Sequence, residues 1–354
     1  MKIALVGLPG SGKSQVFSAL SGQAPDANLE YGKSVARVIE VHDSRLEYLR
    51  EVYQPKKFTP ATIEVEDFPG IDSSQVKANA SFFASLREAD ALCCVLRTFL
   101  DPSYAHDPAE ANPARDWDRL LGDLQIADLE MIEKRIERLE KQVLRPTKSQ
   151  QADQAELDLL QRCRDSLEDG GRLSDVTLKA GEEDQLRSFR FLTQKPIMII
   201  LNLDEAVDDA DAQIKSFEGR AESVVALKGR LEAEIAQLDP EEALEFMQDF
   251  DIEAPAARLL IQALFELLGL CAFLTAGDDE VRAWTIQNGD SAVTAASKIH
   301  SDIARGFIRA EVVAFADLES AGSMREAKVA NSVRLEGKEY AVRDGDIINF
   351  RFSV

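Results

Sequence analysis

The sequence predicts an α/β fold built on a phosphate-binding loop, with an antiparallel helical hairpin inserted into it and a small β-rich module at its C-terminal end. Three observations carry this. Gly7-Leu8-Pro9-Gly10-Ser11-Gly12-Lys13-Ser14 follows the apolar run Ile3-Ala4-Leu5-Val6. From Trp117 onward, Leu129, Ile132, Ile136, Leu139 and Val143 recur at alternating spacings of three and four. After residue 270, short alternating runs are separated by Gly337 and Asp344-Gly345 turns.

The chain has 354 residues, long for a single hydrophobic core, so two or three domains are expected. Its net charge of -22, from 41 basic and 63 acidic residues, excludes a whole-molecule electrostatic grip on nucleic acid or anionic membrane. A local basic patch stays open. Cys93, Cys94, Cys163 and Cys271 lack metal-ligand spacing and read as reduced thiols. No stretch reaches transmembrane length, and Met1 leads directly into an apolar strand, so the expected location is cytoplasmic, with no membrane partner.

The glycine-rich stretch matches the pattern G-x-x-x-x-G-K-[ST] in full. A buried strand delivers the chain to a loop whose glycines let successive amides turn toward one anion. A helix over residues 13–20 then points its positive end at that anion. Gly10, Ser11, Gly12, Lys13, Ser14 and Gln15 would wrap the phosphates of a nucleoside triphosphate, with Lys13 reaching the outer ones and the Ser14 hydroxyl on Mg2+.

Residues 21–33 have loop composition and lie where a nucleotide-sensing switch would be. Residues 34–41 and 61–66 read as strands, with a helix over 43–52 between them. The second strand ends in Asp67-Phe68-Pro69-Gly70, a D-x-x-G arrangement: Asp67 would hold the Mg2+ through a water, and the Gly70 amide would sense a γ-phosphate. Ile71 stands where Ras-like GTPases keep a water-orienting Gln, so any hydrolysis must position its water differently. A helix over 81–88 leads to the continuous apolar run 89–99, a parallel strand buried on both faces, and the loop after it carries His106.

The leucine and isoleucine seam of residues 129–143 reads as a coiled coil. Pro146 breaks it, a second helix carries Leu157, Leu160 and Leu167 on one face, and Gly170-Gly171 closes the hairpin. Residues 196–201 restore the buried-strand signal and end in Asn202-Leu203-Asp204-Glu205. GTP-specific relatives of this fold read N-K-x-D here, with the last carboxylate accepting guanine N1-H and amine. Leu203 and the longer Glu205 undercut guanine selection. A strand over 223–227 and helices over 230–238 and 256–268 close this domain. Beyond it, strands are expected over 271–275, 280–286, 306–313, 332–335, 338–342 and 346–352, with one helix over 292–299. The expected domains are 1–116 and 186–270 (nucleotide binding), 117–185 (hairpin) and 271–354 (β-rich module).

With these pieces the chain resembles the Obg-like ATPase (YchF) family of translation-associated P-loop switch proteins, nearly end to end. The resemblance rests on the phosphate loop, Pro60-Ala61-Thr62-Ile63-Glu64 leading into Asp67 to Gly70, the coiled-coil insertion, and Asn202 to Glu205. It rests most on Val281-Arg282-Ala283-Trp284-Thr285-Ile286, Lys298-Ile299-His300-Ser301-Asp302, Arg305-Gly306-Phe307-Ile308-Arg309-Ala310 and the final Val342 to Phe350. It implies a P-loop NTPase domain of the Ras-like G-domain type and a C-terminal TGS domain, a β-grasp module. It implies ATP rather than GTP as ligand, with Asn202 and Leu203 contacting adenine and Mg2+ on Ser14 and Asp67. His106, with Asn112-Pro113-Ala114 behind it, becomes the candidate to position the hydrolytic water. The implied output is a conformational signal to the ribosome or a translation factor.

The phosphate loop departs from the family: Gly10-Ser11 replaces Asn-Val, Gln15 replaces Thr, and no Thr stands at residues 29–34, where Ser34 is the nearest substitute. The lost Asn helps hold a monovalent cation in the family, so potassium dependence stays open, and the chain reads as a divergent paralogue. Three functions remain: a slow Mg2+-dependent ATPase, a nucleotide-sensing module with negligible turnover, and a GTPase. The hairpin is read as a partner contact, and Arg282, Arg305, Arg309 and Arg343 as an rRNA-facing edge or a solvated surface.

Overall fold

The structure is a computed structural model that describes residues 1–24, 34–71, 76–99, 111–145, 149–204, 210–249, 252 and 254–353. In chain order, β1 (Lys2–Val6) and α1 (Lys13–Ser21) flank the phosphate loop. They are followed by β2 (Val35–Val41), α2 (Ser44–Tyr53), β3 (Lys57–Thr59), β4 (Ala61–Asp67), α3 (Val76–Leu86) and β5 (Ala91–Arg97). Two long helices, α4 (Pro113–Val143) and α5 (Gln150–Glu168), form the hairpin, and the short α6 (Glu182–Arg187) comes after it. The chain continues with β6 (Ile197–Asn202), α7 (Ala210–Lys215), β7 (Ser223–Leu227), α8 (Gly229–Ile235), α9 (Pro240–Asp249) and α10 (Ala256–Leu267). The remainder is β8 (Leu270–Ala276), β9 (Glu280–Gln287), α11 (Ala292–Ile299), α12 (Ser301–Arg305), β10 (Phe307–Ala314), α13 (Phe315–Ala321), α14 (Met324–Val329), β11 (Arg334–Glu336) and β12 (Asp346–Phe352). Contacts divide the chain into two compact units, residues 1–37 with 64–257 and residues 38–63 with 258–354.

The first unit is organised on a sheet of order β2-β4-β1-β5-β6-β7. The β4-β1, β1-β5, β5-β6 and β6-β7 pairs are all parallel. Burial on both faces explains the unbroken apolar runs: every residue of β6 is buried, as are the first six of β5. Because the strands are parallel, the carboxyl ends of β1, β4, β5 and β6 converge on one edge, where ligands bind in folds of this kind.

The hairpin stands on one side of this sheet. Trp117, Leu120 and Leu124 at the root of α4 share a buried cluster with Leu92, Cys94, Leu96, Ile199 and Leu201. Further out, Ile132, Ile136 and Leu139 pack with Leu157, Leu160, Cys163 and Leu167 of α5, while Leu129 and Val143 are only partly covered. Each buried Leu or Ile contributes about 2 kcal/mol. The hairpin is more than two helices, because Leu173, Leu186 and Phe191 complete its core, and Phe189 stacks on Phe191 at 5.0 Å. α4 also starts four residues ahead of the expected Trp117: the Asn112 side chain accepts from Arg115 N at 3.0 Å and Pro113 opens the first turn, a cap and a helix start in sequence order.

The second unit is a sheet of order β11-β10-β12-β8-β9-β3. β8 pairs antiparallel with β9, β10 with β12, and β12 runs parallel to β8. Ala292, Ala295 and Ala296 of α11 pack on its Phe273, Ile286 and Phe350 face, the helix-across-a-mixed-sheet arrangement expected. Residues 38–63 group here and not with the nucleotide domain in which the sequence placed them. Physically, β3 extends the sheet beside β9, Lys57 pairs with Glu280 at 2.8 Å, and Leu46 and Leu49 of α2 are buried.

Residues 338–342, expected as a strand, instead form a turn with one isolated bridge at Ala341. Their carbonyls are used by a helix: Ala292 N and Val293 N, in the first turn of α11, donate to Tyr340 O and Lys338 O. α13 and α14 were not expected at all. The spacing Ser323-x-x-Glu326 marks the start of α14, where Ser323 Oγ accepts from Glu326 N at 3.2 Å.

Candidate nucleotide site

The loop between β1 and α1 has the torsions that its glycines permit. Gly10 and Gly12 sit at φ 78° and 83°, in the left-handed region. Gly12 has a second constraint, since a Cβ there would fall 2.0 Å from Asn202 Nδ2. Gly12 caps α1 with no side chain, and no acidic residue lies in the first turn, so the positive end of the helix faces the loop uncompensated. Gly12→Ala is expected to weaken Mg2+-nucleotide binding about a hundredfold, from left-handed strain of about 1–2 kcal/mol plus displacement of Asn202. Calorimetric titration checks this, and affinity within a factor of three of wild type would count against it.

Lys13 and Ser14 occupy the first turn of α1, facing the end of β4. Ser14 Oγ donates to Asp67 Oδ2 at 3.1 Å. Lys13 is buried, and burial pushes its pKa down, opposed by the charge of Asp67. Asp67 shows the mirror effect: at 1 % exposure, burial raises its pKa against the pull of Lys13 and the Ser14 hydrogen bond. Its Oδ1, like Ser11 Oγ, is buried with no hydrogen-bond partner. A carboxylate oxygen left this way is costly unless a ligand completes it. The pair Ser14 and Asp67 therefore fits a hard cation that takes two protein oxygens and fills its other positions with phosphate and water, as Mg2+ does. Among the described residues no group of three or more His, Cys, Asp or Glu is placed to hold a metal.

At the far side of the loop Asn202 is 1 % exposed and ties two backbones together. Its Nδ2 donates to Ser11 O at 3.1 Å and its Oδ1 accepts from Gly229 N at 3.0 Å. A Cβ on Gly229 would come within 2.7 Å of that oxygen. Leu203 is buried in the apolar core beside Phe217, and its N–H donates to Leu227 O at 2.9 Å. Asn202 thus ties the loop to the start of α8, and Leu203 ties the end of β6 to the end of β7. Glu205 and His106 lie outside the described residues. Gly70 comes so close to the loop that a Cβ would sit 2.9 Å from Pro9 N, and Ile71 is buried beside Phe68 with its N–H donating to Gly7 O. Ser34, the candidate substitute for the switch threonine, donates to Glu66 Oε1, whose other oxygen pairs with Lys2 at 2.7 Å.

This geometry has full-length counterparts. The chain is 38% identical over 363 residues to the ribosome-binding ATPase YchF of Bacillus subtilis, covering 99% of this chain and 98% of that protein. It is 37% identical to the protein of the same name from Escherichia coli O157:H7, covering 100% and 99%. The chain belongs to the YchF family. A solved structure titled as the Schizosaccharomyces pombe YchF GTPase superposes with a TM-score of 0.84 at 26% identity, covering 99% of this chain and 97% of that one. The profile for the C-terminal part of YchF GTPases, described as a protein of unknown function, matches residues 270–353. That for 50S ribosome-binding GTPases matches residues 2–145.

Several groups at the site of this YchF-family chain escaped the sequence reading. Gly229 is one, and its signal was a glycine two residues after the expected strand 223–227. Glu66 is another, a buried carboxylate one residue before Asp67. Thr98 is a third: its N–H and Oγ1 both donate to Asn202 O at 3.1 Å. Of the four arginines read as an edge, Arg282 stacks over Trp284 at 3.8 Å, Arg305 pairs with Asp302, and Arg309 and Arg343 are exposed.

Proposed function

We propose that this chain is a cytoplasmic Mg2+-dependent ATPase of slow turnover that acts as a conformational switch on the ribosome or a translation factor. The observation that carries it is the Lys13, Ser14 and Asp67 cluster, with a buried cation in the loop and buried oxygens on Asp67 and Ser11 awaiting partners. In this reading the loop amides and Lys13 hold the phosphates, Ser14 and Asp67 hold Mg2+ with its water shell, and the Gly70 amide follows the terminal phosphate. Bound by Ser14 and Asp67, Mg2+ would neutralise phosphate charge. His106 positions the attacking water, since buried Ile71 presents no group that orients one. In sequence, Glu205 closes the Asn202-Leu203-Asp204-Glu205 stretch, and its departure from N-K-x-D supports ATP over GTP. The C-terminal unit serves as a TGS-type β-grasp module, and it or the hairpin supplies the rRNA contact. The names of the Bacillus and Escherichia relatives support both the ATP and the ribosome parts.

A second reading, a nucleotide-sensing module with negligible turnover, is favoured by Ile71 and by the engagement of Ser34 with Glu66. Titration with ATP and GTP in Mg2+, followed by single-turnover hydrolysis and cosedimentation with ribosomes, separates the readings. The expected result is tighter ATP binding, measurable turnover that His106→Ala removes, and ribosome binding that changes with nucleotide. Tighter GTP binding moves the protein to the GTPase class, and background rates in wild type favour the sensing module.

A further inference from the structure

Arg97 is the last residue of β5, the strand between β1, which feeds the phosphate loop, and β6. It stands in register opposite Asn202, whose side chain reaches the loop at Ser11, and the next residue, Thr98, is bonded twice to Asn202. The end of β5 also touches the loop directly: Val95 O lies 2.6 Å from where a Cβ on Gly7 would be. The backbone of Arg97 is therefore one strand away from the phosphate loop, close to its level.

Its side chain is poorly partnered for so covered a group. At 12% side-chain exposure, its contact is Nε to Asp116 Oδ2 at 3.8 Å, beyond hydrogen-bond length. Among the described residues no other carboxylate lies in ion-pair reach, and among those same residues the five N–H groups of the guanidinium have no hydrogen-bond acceptor. Asp116 belongs to the first turn of α4, the 31-residue helix of the hairpin, and also faces Arg115 Nη2 at 3.5 Å. A second cation and the helix N-terminus would keep Asp116 compensated if Arg97 turned away.

We propose that Arg97 is a phosphate-positioning residue shared between the terminal phosphate of the bound nucleotide and Asp116, so that the root of the hairpin registers whether that phosphate is present. The inference rests on the nucleotide reading above. Lys13 approaches the outer phosphates from the loop and Arg97 from the strand end, which spreads two cations over the oxygens where charge gathers in phosphoryl transfer. When the guanidinium leaves, Asp116 exchanges partners, and the first turn of a rigid helix of about 46 Å shifts with it.

Titration of the full chain in Mg2+ with ADP and with the β,γ-imido analogue of ATP tests this. Arg97→Gln is expected to bind the analogue about tenfold more weakly and ADP within about twofold of wild type. Asp116→Asn, which frees the guanidinium, is expected to bind the analogue about threefold more tightly. Equal losses for both nucleotides in Arg97→Gln, or weaker analogue binding by Asp116→Asn, would overturn the proposal and leave the pair a structural tether. Thermal unfolding reports on the fold of each variant, and if Arg97→Gln melts, the sign of the Asp116→Asn effect decides alone. Wild type binding neither nucleotide overturns the nucleotide reading too, a result distinct from binding without discrimination.

Discussion

ATP turnover at saturating Mg2+-ATP is expected to fall about a thousandfold when Lys13 is replaced by Ala, while the nucleotide-free protein melts no lower than wild type. Both halves follow from the same observation. Lys13 is buried, its pKa is lowered by that burial, and among the described residues no carboxylate lies within ion-pair distance. Asp67 acts on it only as a nearby charge and is itself pushed toward its neutral form. An ammonium held this way costs the empty protein free energy and returns it when a phosphate arrives, so its loss is felt in the occupied state. The linkage sign agrees. A lysine whose folded pKa lies below its unfolded value makes the unfolded chain the better proton binder, so wild type without nucleotide gains stability as pH rises toward the ordinary lysine range. Lys13→Ala removes that slope. Phosphate release at saturating substrate, with calorimetric unfolding of the empty protein at two pH values, checks both. Turnover within tenfold of wild type, or a melting midpoint several degrees lower, would mean that Lys13 supports the fold instead.

The chemistry of the phosphate loop was legible because it is local. Eight consecutive residues supply strand exit, glycines, cation and hydroxyl, and in the structure Gly10 and Gly12 take left-handed torsions and Ser14 bonds Asp67. Asp67 was legible from its place at a strand end, and the hairpin from a seam that local periodicity alone defines. What the sequence concealed depends on partners far along the chain. Asn202 opens a strand-end motif that points only to a base, yet its amide also donates across 191 residues to Ser11 and accepts across 27 from Gly229, tethers that local spacing does not show. Residues 338–342 alternate as a strand does, but α11 claims their carbonyls before any neighbour can. β3 is three residues long and polar, and only its place beside β9 makes it a strand. Arg97 carried no motif, and its interest arises entirely from β5 lying between β1 and β6.

Asp128→Ala is expected to cost about 3–5 kcal/mol of stability, the largest loss from a single side chain away from the nucleotide loop. Asp128 lies in α4, is fully buried, and accepts four hydrogen bonds. Arg87 Nη1 donates at 2.5 Å from the residue after α3. Leu192 N, Thr193 N and Thr193 Oγ1 donate at 3.0, 2.8 and 2.9 Å from the turn that precedes β6. Arg87 completes the node through Nη2 to Ala127 O at 2.9 Å, and Lys195 Nζ donates to Arg87 O at the same distance. Truncating the carboxylate strands a buried guanidinium and two backbone N–H groups at once, and the penalty is mostly theirs. Asp128→Asn keeps the volume and one acceptor but turns an amide donor toward donors, so about half the loss is expected. The double replacement Arg87→Met with Asp128→Leu removes both charges and should recover the part of the loss due to the stranded guanidinium, while Leu192 N and Thr193 N stay without their acceptor. The node sits at the amino ends of β5 and β6, opposite the nucleotide loop, so nucleotide affinity measured well below the melting range should be unchanged in all three variants. Urea unfolding followed by ellipticity gives the stabilities. A loss below about 1 kcal/mol for Asp128→Ala would show that water takes the place of the carboxylate, and that the hairpin is held to the sheet by Trp117, Leu120 and Leu124 alone.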